Sequence, residues 1–82
     1  MDIKSWKIML AVDDYGSFTR VGAELGYTQS GITQMMKNLE KKVGFPLYIK
    51  DHHGITLTNE AKSLIPAIRT LLNADEVIHQ EI

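Results

Sequence analysis

The sequence predicts a mainly α fold: three short helices, a β-hairpin, and a long fourth helix. Three observations predict it. Apolar residues recur at helical spacing in four stretches, each preceded by an aspartate, serine or threonine able to cap a helix start. Glycines close the first three stretches. Two β-branched or aromatic runs flank a polar turn between the third and fourth.

The first helix is capped by Asp2, places Ile3, Trp6, Met9 and Leu10 on one side, and ends near Tyr15 and Gly16. Ser17 then caps a helix of barely two turns, with an apolar stripe of Phe18, Val21 and Leu25 that stops at Gly26. Only Gly26, Tyr27 and Thr28 intervene before the third helix, from Gln29 to Val43, whose Ile32, Met35, Met36, Leu39 and Val43 hold a strict helical period. Gly44 ends it, and Pro46 prevents continuation. Residues 47–49 and 55–57 are the expected strands, with Lys50 at one side of the turn and His52 and His53 at its tip. Thr58 caps the fourth helix, with Ala61, Leu64, Ile65, Ile68, Leu71, Leu72 and Ile78 as apolar positions. Pro66 lies inside it and predicts a kink or a displaced first turn, because proline removes one backbone donor.

Eighty-two residues suffice for one small domain with one core and are too few for a catalytic domain plus a regulatory one. The chain has no cysteine, which excludes disulfides and thiolate-bound zinc and allows a reducing, cytoplasmic setting. No basic leader precedes an apolar core, and no stretch reaches membrane-spanning length. His52 and His53 are adjacent and His79 is remote, with no cysteine or carboxylate cluster to complete a site, so no metal and no cofactor is expected. No nucleophile, base and orienting group stand in a recognisable setting, so no enzyme is expected either.

Two short helices joined by a three-residue turn containing glycine form a helix-turn-helix, and the hairpin adds a wing. On the third helix Gln29, Ser30, Thr33, Gln34, Lys37 and Lys41 lie away from the apolar stripe. Such a row is often only a solvated face. Amides and hydroxyls also match base edges in the major groove of double-stranded DNA, however, and lysine matches phosphate. Gly31 leaves no side chain near the helix start. The wing, with Lys50 and His53, supplies a second contact pointing to the same partner.

The net charge of −1 opposes a nucleic-acid reading. Its distribution answers part of the objection: all nine bases and only seven of ten acids fall within residues 1–69, whereas Asp75, Glu76 and Glu81 stand alone at the end. Affinity for phosphate depends on where the cations sit. The rival reading is a winged-helix protein-interaction module with little DNA affinity.

Residues 16–58, GSFTRVGAELGYTQSGITQMMKNLEKKVGFPLYIKDHHGITLT, resemble the amino-terminal domain of LysR-type transcriptional regulators. The resemblance rests on Gly16 to Arg20, Ala23, Leu25, Thr28-Gln29, Leu39-Glu40, Gly44, Leu47 and Leu57-Thr58. It implies a bacterial regulator with a winged helix-turn-helix over residues 1–58 and a linker helix over 59–82 that pairs in a homodimer. A separate effector-binding domain, which would take the small-molecule effector, is absent from these residues. Base contacts then fall on Gln29, Ser30, Thr33 and Gln34. Backbone or groove contacts fall on Ser17, Thr19, Lys37, Lys41, Lys50 and His53. The family often has proline at Ser30, a Phe-x-Arg at Tyr48-Ile49-Lys50, and arginine at His53, so the cationic wing is weaker here.

Trp6, Met9, Met35 and Met36 are expected in the core, and Tyr48 at the base of the wing. Along the fourth helix Leu64, Ile68, Leu71, Ile78 and Ile82 keep a four-three rhythm that suits packing partly on the domain and partly on a partner helix. Leu64, Ile68, Leu71 and Ile78 are the expected dimer contacts. Asp75 interrupts that seam, either exposed or paired across the dimer.

Overall fold

The computed structural model describes residues 2–82. Its elements in chain order are α1 (Ile3–Tyr15), α2 (Phe18–Leu25), α3 (Gln29–Val43), β1 (Tyr48–Asp51), β2 (Gly54–Leu57) and α4 (Asn59–Glu81). Each helix begins on the expected cap. Asp2 accepts from Ser5 N–H, Ser17 from Arg20, Thr28 from Gly31, and Thr58 from Ala61. Gly16, Gly26 and Gly44 end the first three in the left-handed conformation, which costs glycine least.

The core lies where α1, α2, α3, the hairpin and the first half of α4 converge. Ile8, Met9, Val12, Val21, Ile32, Met36, Leu39, Leu47, Leu57 and Ala61 are closed to solvent there, and Phe18, Ile55 and Ile68 nearly so. The α3 stripe follows its period: Ile32, Met36 and Leu39 are buried, and Met35 and Val43 pack at the margin. Helix α1 departs from its single expected stripe. Ile8 and Val12 are its deepest residues together with Met9, while Trp6 and Leu10 are only partly covered. The reason is that α1 is the central helix, contacted by α2, α3, β2 and α4 from different sides. Leu25 also departs, at 44% exposed. The inward place near the end of α2 belongs to Gly22, where a Cβ would stand 2.5 Å from the Tyr27 carbonyl oxygen, so the turn lies directly on bare backbone.

Strands β1 and β2 pair antiparallel from Tyr48 opposite Leu57 to Asp51 opposite Gly54, leaving His52 and His53 as the connection. The first strand thus runs to Asp51, and Leu47 precedes it as a core residue. Neither histidine takes a positive φ; Gly54 does, at 118°. The displaced first turn expected from Pro66 is absent: α4 runs without interruption from Asn59 with Thr58 as its cap. Both Pro66 and Lys62, whose carbonyl loses its helical donor, are exposed, so water can serve that carbonyl. Asp75 Oδ1 lies 3.3 Å from His79 Nε2 one turn along its own helix. Among the described residues no helix is long and apolar enough to cross a membrane.

Candidate nucleic-acid interface

The exposed side of α3 carries its polar residues in two bonded couples. Gln29 Nε2 donates to Thr33 Oγ1 at 2.9 Å, and Thr33 Oγ1 donates to the Gln29 carbonyl at 3.1 Å. One turn further, Gln34 Nε2 donates to Asn38 Oδ1 at 2.9 Å. Asn38 escaped the sequence reading, although its spacing of four from Gln34 is the signal for such a pair. Ser30 Oγ lies 3.3 Å from the capping Thr28 Oγ1. Gly31 has a structural task beyond being small: a Cβ there would press on the Thr28 hydroxyl at 3.1 Å, disturbing the cap.

A cleft of about 150 Å³ opens between the helix-turn-helix and the wing, lined by Ser17, Thr19, Gln29 and Lys50 over a floor of Phe18 and Ile55. Four residues from three separate stretches of sequence therefore meet. Lys37 and Lys41 instead border a shallow depression with Glu40, Gly44 and Pro46. His53 is exposed at the wing tip, its ring 3.9 Å from that of His52 and its N–H donating to Asp51 Oδ1.

Tyr48 ties the base of the wing to both helices of the motif. Its ring meets Phe18 of α2 edge-on, 5.0 Å between centroids at 76°, and the Lys37 ammonium of α3 lies 5.6 Å from its centroid. Interaction with the Tyr48 side chain, chiefly hydrogen bonding, raises Lys37 above the ordinary lysine pKa.

Two further contacts fix the wing, and sequence alone showed neither. Glu40 Oε2 accepts from the N–H of buried Leu47 at 2.8 Å, and Thr58 Oγ1 donates to the Pro46 carbonyl at 2.9 Å. Arg20 is drawn over the Tyr15 ring at 5.1 Å. Elsewhere, Leu64, Ile68 and Leu71 of α4 line a groove with Trp6 and Ala67. Ile68 lies on the domain side of this groove at 4% exposed, Leu71 is 41% exposed, and Ile78 is 61% exposed beyond it.

Helix-turn-helix, hairpin wing and extended last helix define the class: a winged helix-turn-helix domain. The model of the bacterial regulatory helix-turn-helix proteins of the lysR family matches residues 3–62. The chain belongs to that family. It is 32% identical over 78 residues to the HTH-type transcriptional regulator CzcR of Bacillus cereus, covering 94% of this chain and 27% of the relative. To the HTH-type transcriptional activator AmpR of Providencia stuartii it is 35% identical over 65 residues, covering 79% and 22%. The chain thus spans about a quarter of the length of these relatives. Among solved structures, the CbnR DBD–DNA complex superposes with a TM-score of 0.90 at 26% identity, covering 99% of this chain and 93% of that one.

Proposed function

We propose that this chain is the double-stranded DNA-binding part of a transcription regulator. Helix α3 enters the major groove, and the wing meets the backbone or minor groove. The observation that carries this reading is the convergence of Ser17, Thr19, Gln29 and Lys50 on one cleft. Hydroxyls and an ammonium beside a base-reading amide are what a groove edge and its phosphates require together. The CbnR structure, determined with DNA, supports the same partner. Gln29, Ser30, Thr33 and Gln34 are the base-reading group. Ser17, Thr19, Lys37, Lys41, Lys50 and His53 meet the backbone or groove.

In this reading residues 1–58 form the DNA-reading unit and residues 59–82 the pairing helix, whose first half also closes the unit's core. The protein acts as a homodimer through Leu64, Leu71 and Ile78, with Ile68 supporting that face from inside. A small-molecule effector acts through a region outside these residues.

Titration of labelled duplex at several salt concentrations tests the proposal. Binding should weaken steeply between about 50 and 200 mM salt, as counterion release requires. Gln29→Ala should cost about 1 to 3 kcal/mol at particular base pairs, whereas Lys50→Ala should weaken all sequences alike. Absence of salt-dependent binding even at the lowest concentration would favour the protein-interaction module to which the near-neutral charge points.

A further inference from the structure

The Gln29–Thr33 couple constrains which base this helix accepts. A threonine hydroxyl has one hydrogen to give. Here it goes to the Gln29 carbonyl at 3.1 Å, the back-bonding that threonine commonly makes within helices. Thr33 Oγ1 can therefore only accept from the Gln29 side chain, and it does so from Nε2 at 2.9 Å. With the hydroxyl hydrogen so placed, the amide nitrogen faces Thr33 and one of its two N–H groups is used. One N–H donor and the Oε1 acceptor remain.

That remaining pair complements adenine in the major groove, where N7 accepts and the N6 amino group donates. Guanine presents two acceptors, O6 and N7, in the same places. A free glutamine amide can turn to offer guanine both hydrogens; a tethered one has a single hydrogen left and would set Oε1 against O6. Resting on the proposal that Gln29 reads a base, we propose that Thr33 is a positioning residue that makes Gln29 select adenine over guanine. Within the base-reading group Thr33 thus acts through Gln29, its own hydrogen being given to the Gln29 carbonyl.

The test begins with selection of bound sequences from a random duplex pool by this chain and by Gln29→Ala, which locates the base pair that Gln29 reads. That base should be adenine. Replacing it by guanine should weaken wild-type binding about tenfold or more, and 7-deazaadenine, which lacks the N7 acceptor, should also weaken it. Thr33→Val keeps the shape without the hydroxyl and should reduce the adenine-to-guanine ratio several-fold. Thr33→Ser should restore the ratio.

An unchanged ratio in Thr33→Val, a Thr33→Ser as indifferent as valine, or a wild type indifferent to 7-deazaadenine would overturn the inference. The deaza probe tests the N7 contact without altering the protein, and the adenine-to-guanine ratio, taken on one preparation, is unaffected by any inactive fraction of the valine variant. If Gln29→Ala alters preference at no position, the base-reading role of Gln29 falls. If it erases the adenine preference while Thr33→Val keeps the ratio, only the positioning role falls.

Discussion

Gly54 and Gly16 meet backbone to backbone: a Cβ on Gly54 would stand 2.6 Å from the Gly16 carbonyl oxygen, which accepts the Ile55 N–H at 2.9 Å. The second wing strand is thereby docked on the turn between α1 and α2. It is this docking that holds Lys50 beside Ser17, Thr19 and Gln29.

Gly54→Ala meets both that carbonyl and a φ of 118°, where side chains are strained. It should destabilise the domain by about 1 to 3 kcal/mol, seen as a drop in the thermal midpoint of several degrees. A midpoint equal to wild type would mean the close approach relaxes at no cost.

Glu40 holds the start of the wing through the Leu47 N–H. Glu40→Ala leaves that buried donor unpaired and should cost about 1 to 3 kcal/mol in urea unfolding. Glu40→Gln keeps an acceptor oxygen and should cost less. Equal losses would assign the effect to charge rather than to the bond.

Asp2 lies below its ordinary carboxylate pKa, because the backbone N–H and then the hydroxyl of Ser5 bond to it. A depressed carboxylate stabilises the fold above its unfolded pKa, and that contribution disappears as pH falls through the folded value. Thermal melts from about pH 5 down to about pH 2 should show this loss, and Asp2→Asn, a comparable cap that does not titrate, should reduce the slope. An identical pH slope in the asparagine variant would remove Asp2 from the acid response.

His53→Arg places a permanent cation with a bidentate fork at the wing tip. Duplex affinity should rise, and the salt slope should steepen by about one phosphate contact, roughly 0.9 in log-log terms. Unchanged affinity and slope would take the wing tip out of the interface.

Leu71 stands half open at the edge of the groove shared with Trp6. If α4 pairs there, Leu71→Glu should weaken self-association by about 1.5 to 3 kcal/mol, the value of burying a leucine, as read by sedimentation. Identical sedimentation of variant and wild type at all concentrations would place the dimer contact elsewhere.

Much of this architecture was legible because its signals are local. Asp2, Ser17, Thr28 and Thr58 satisfy N–H groups three residues ahead, and Gly16, Gly26 and Gly44 take the left-handed turn that follows each of the first three helices. The exposed row on α3 follows from its period, since what is not in the Ile32, Met36, Leu39 stripe must face outward. The stripe on α1 misled because a helix packed from several sides has no single apolar face. Leu25 misled because bare backbone at Gly22 took the inward place. The Asp75 contact with His79 is at helical spacing and is itself a local signal.

The element order, the caps and the polar face of α3 are written in the amino-acid order, because each depends on residues a few positions apart. Where the wing stands is a property of the packed fold. Its position depends on Gly54 against Gly16, Glu40 on Leu47, and Tyr48 between Phe18 and Lys37. Those partners are separated along the chain, and their meeting follows from how the whole core packs, which no local pattern encodes.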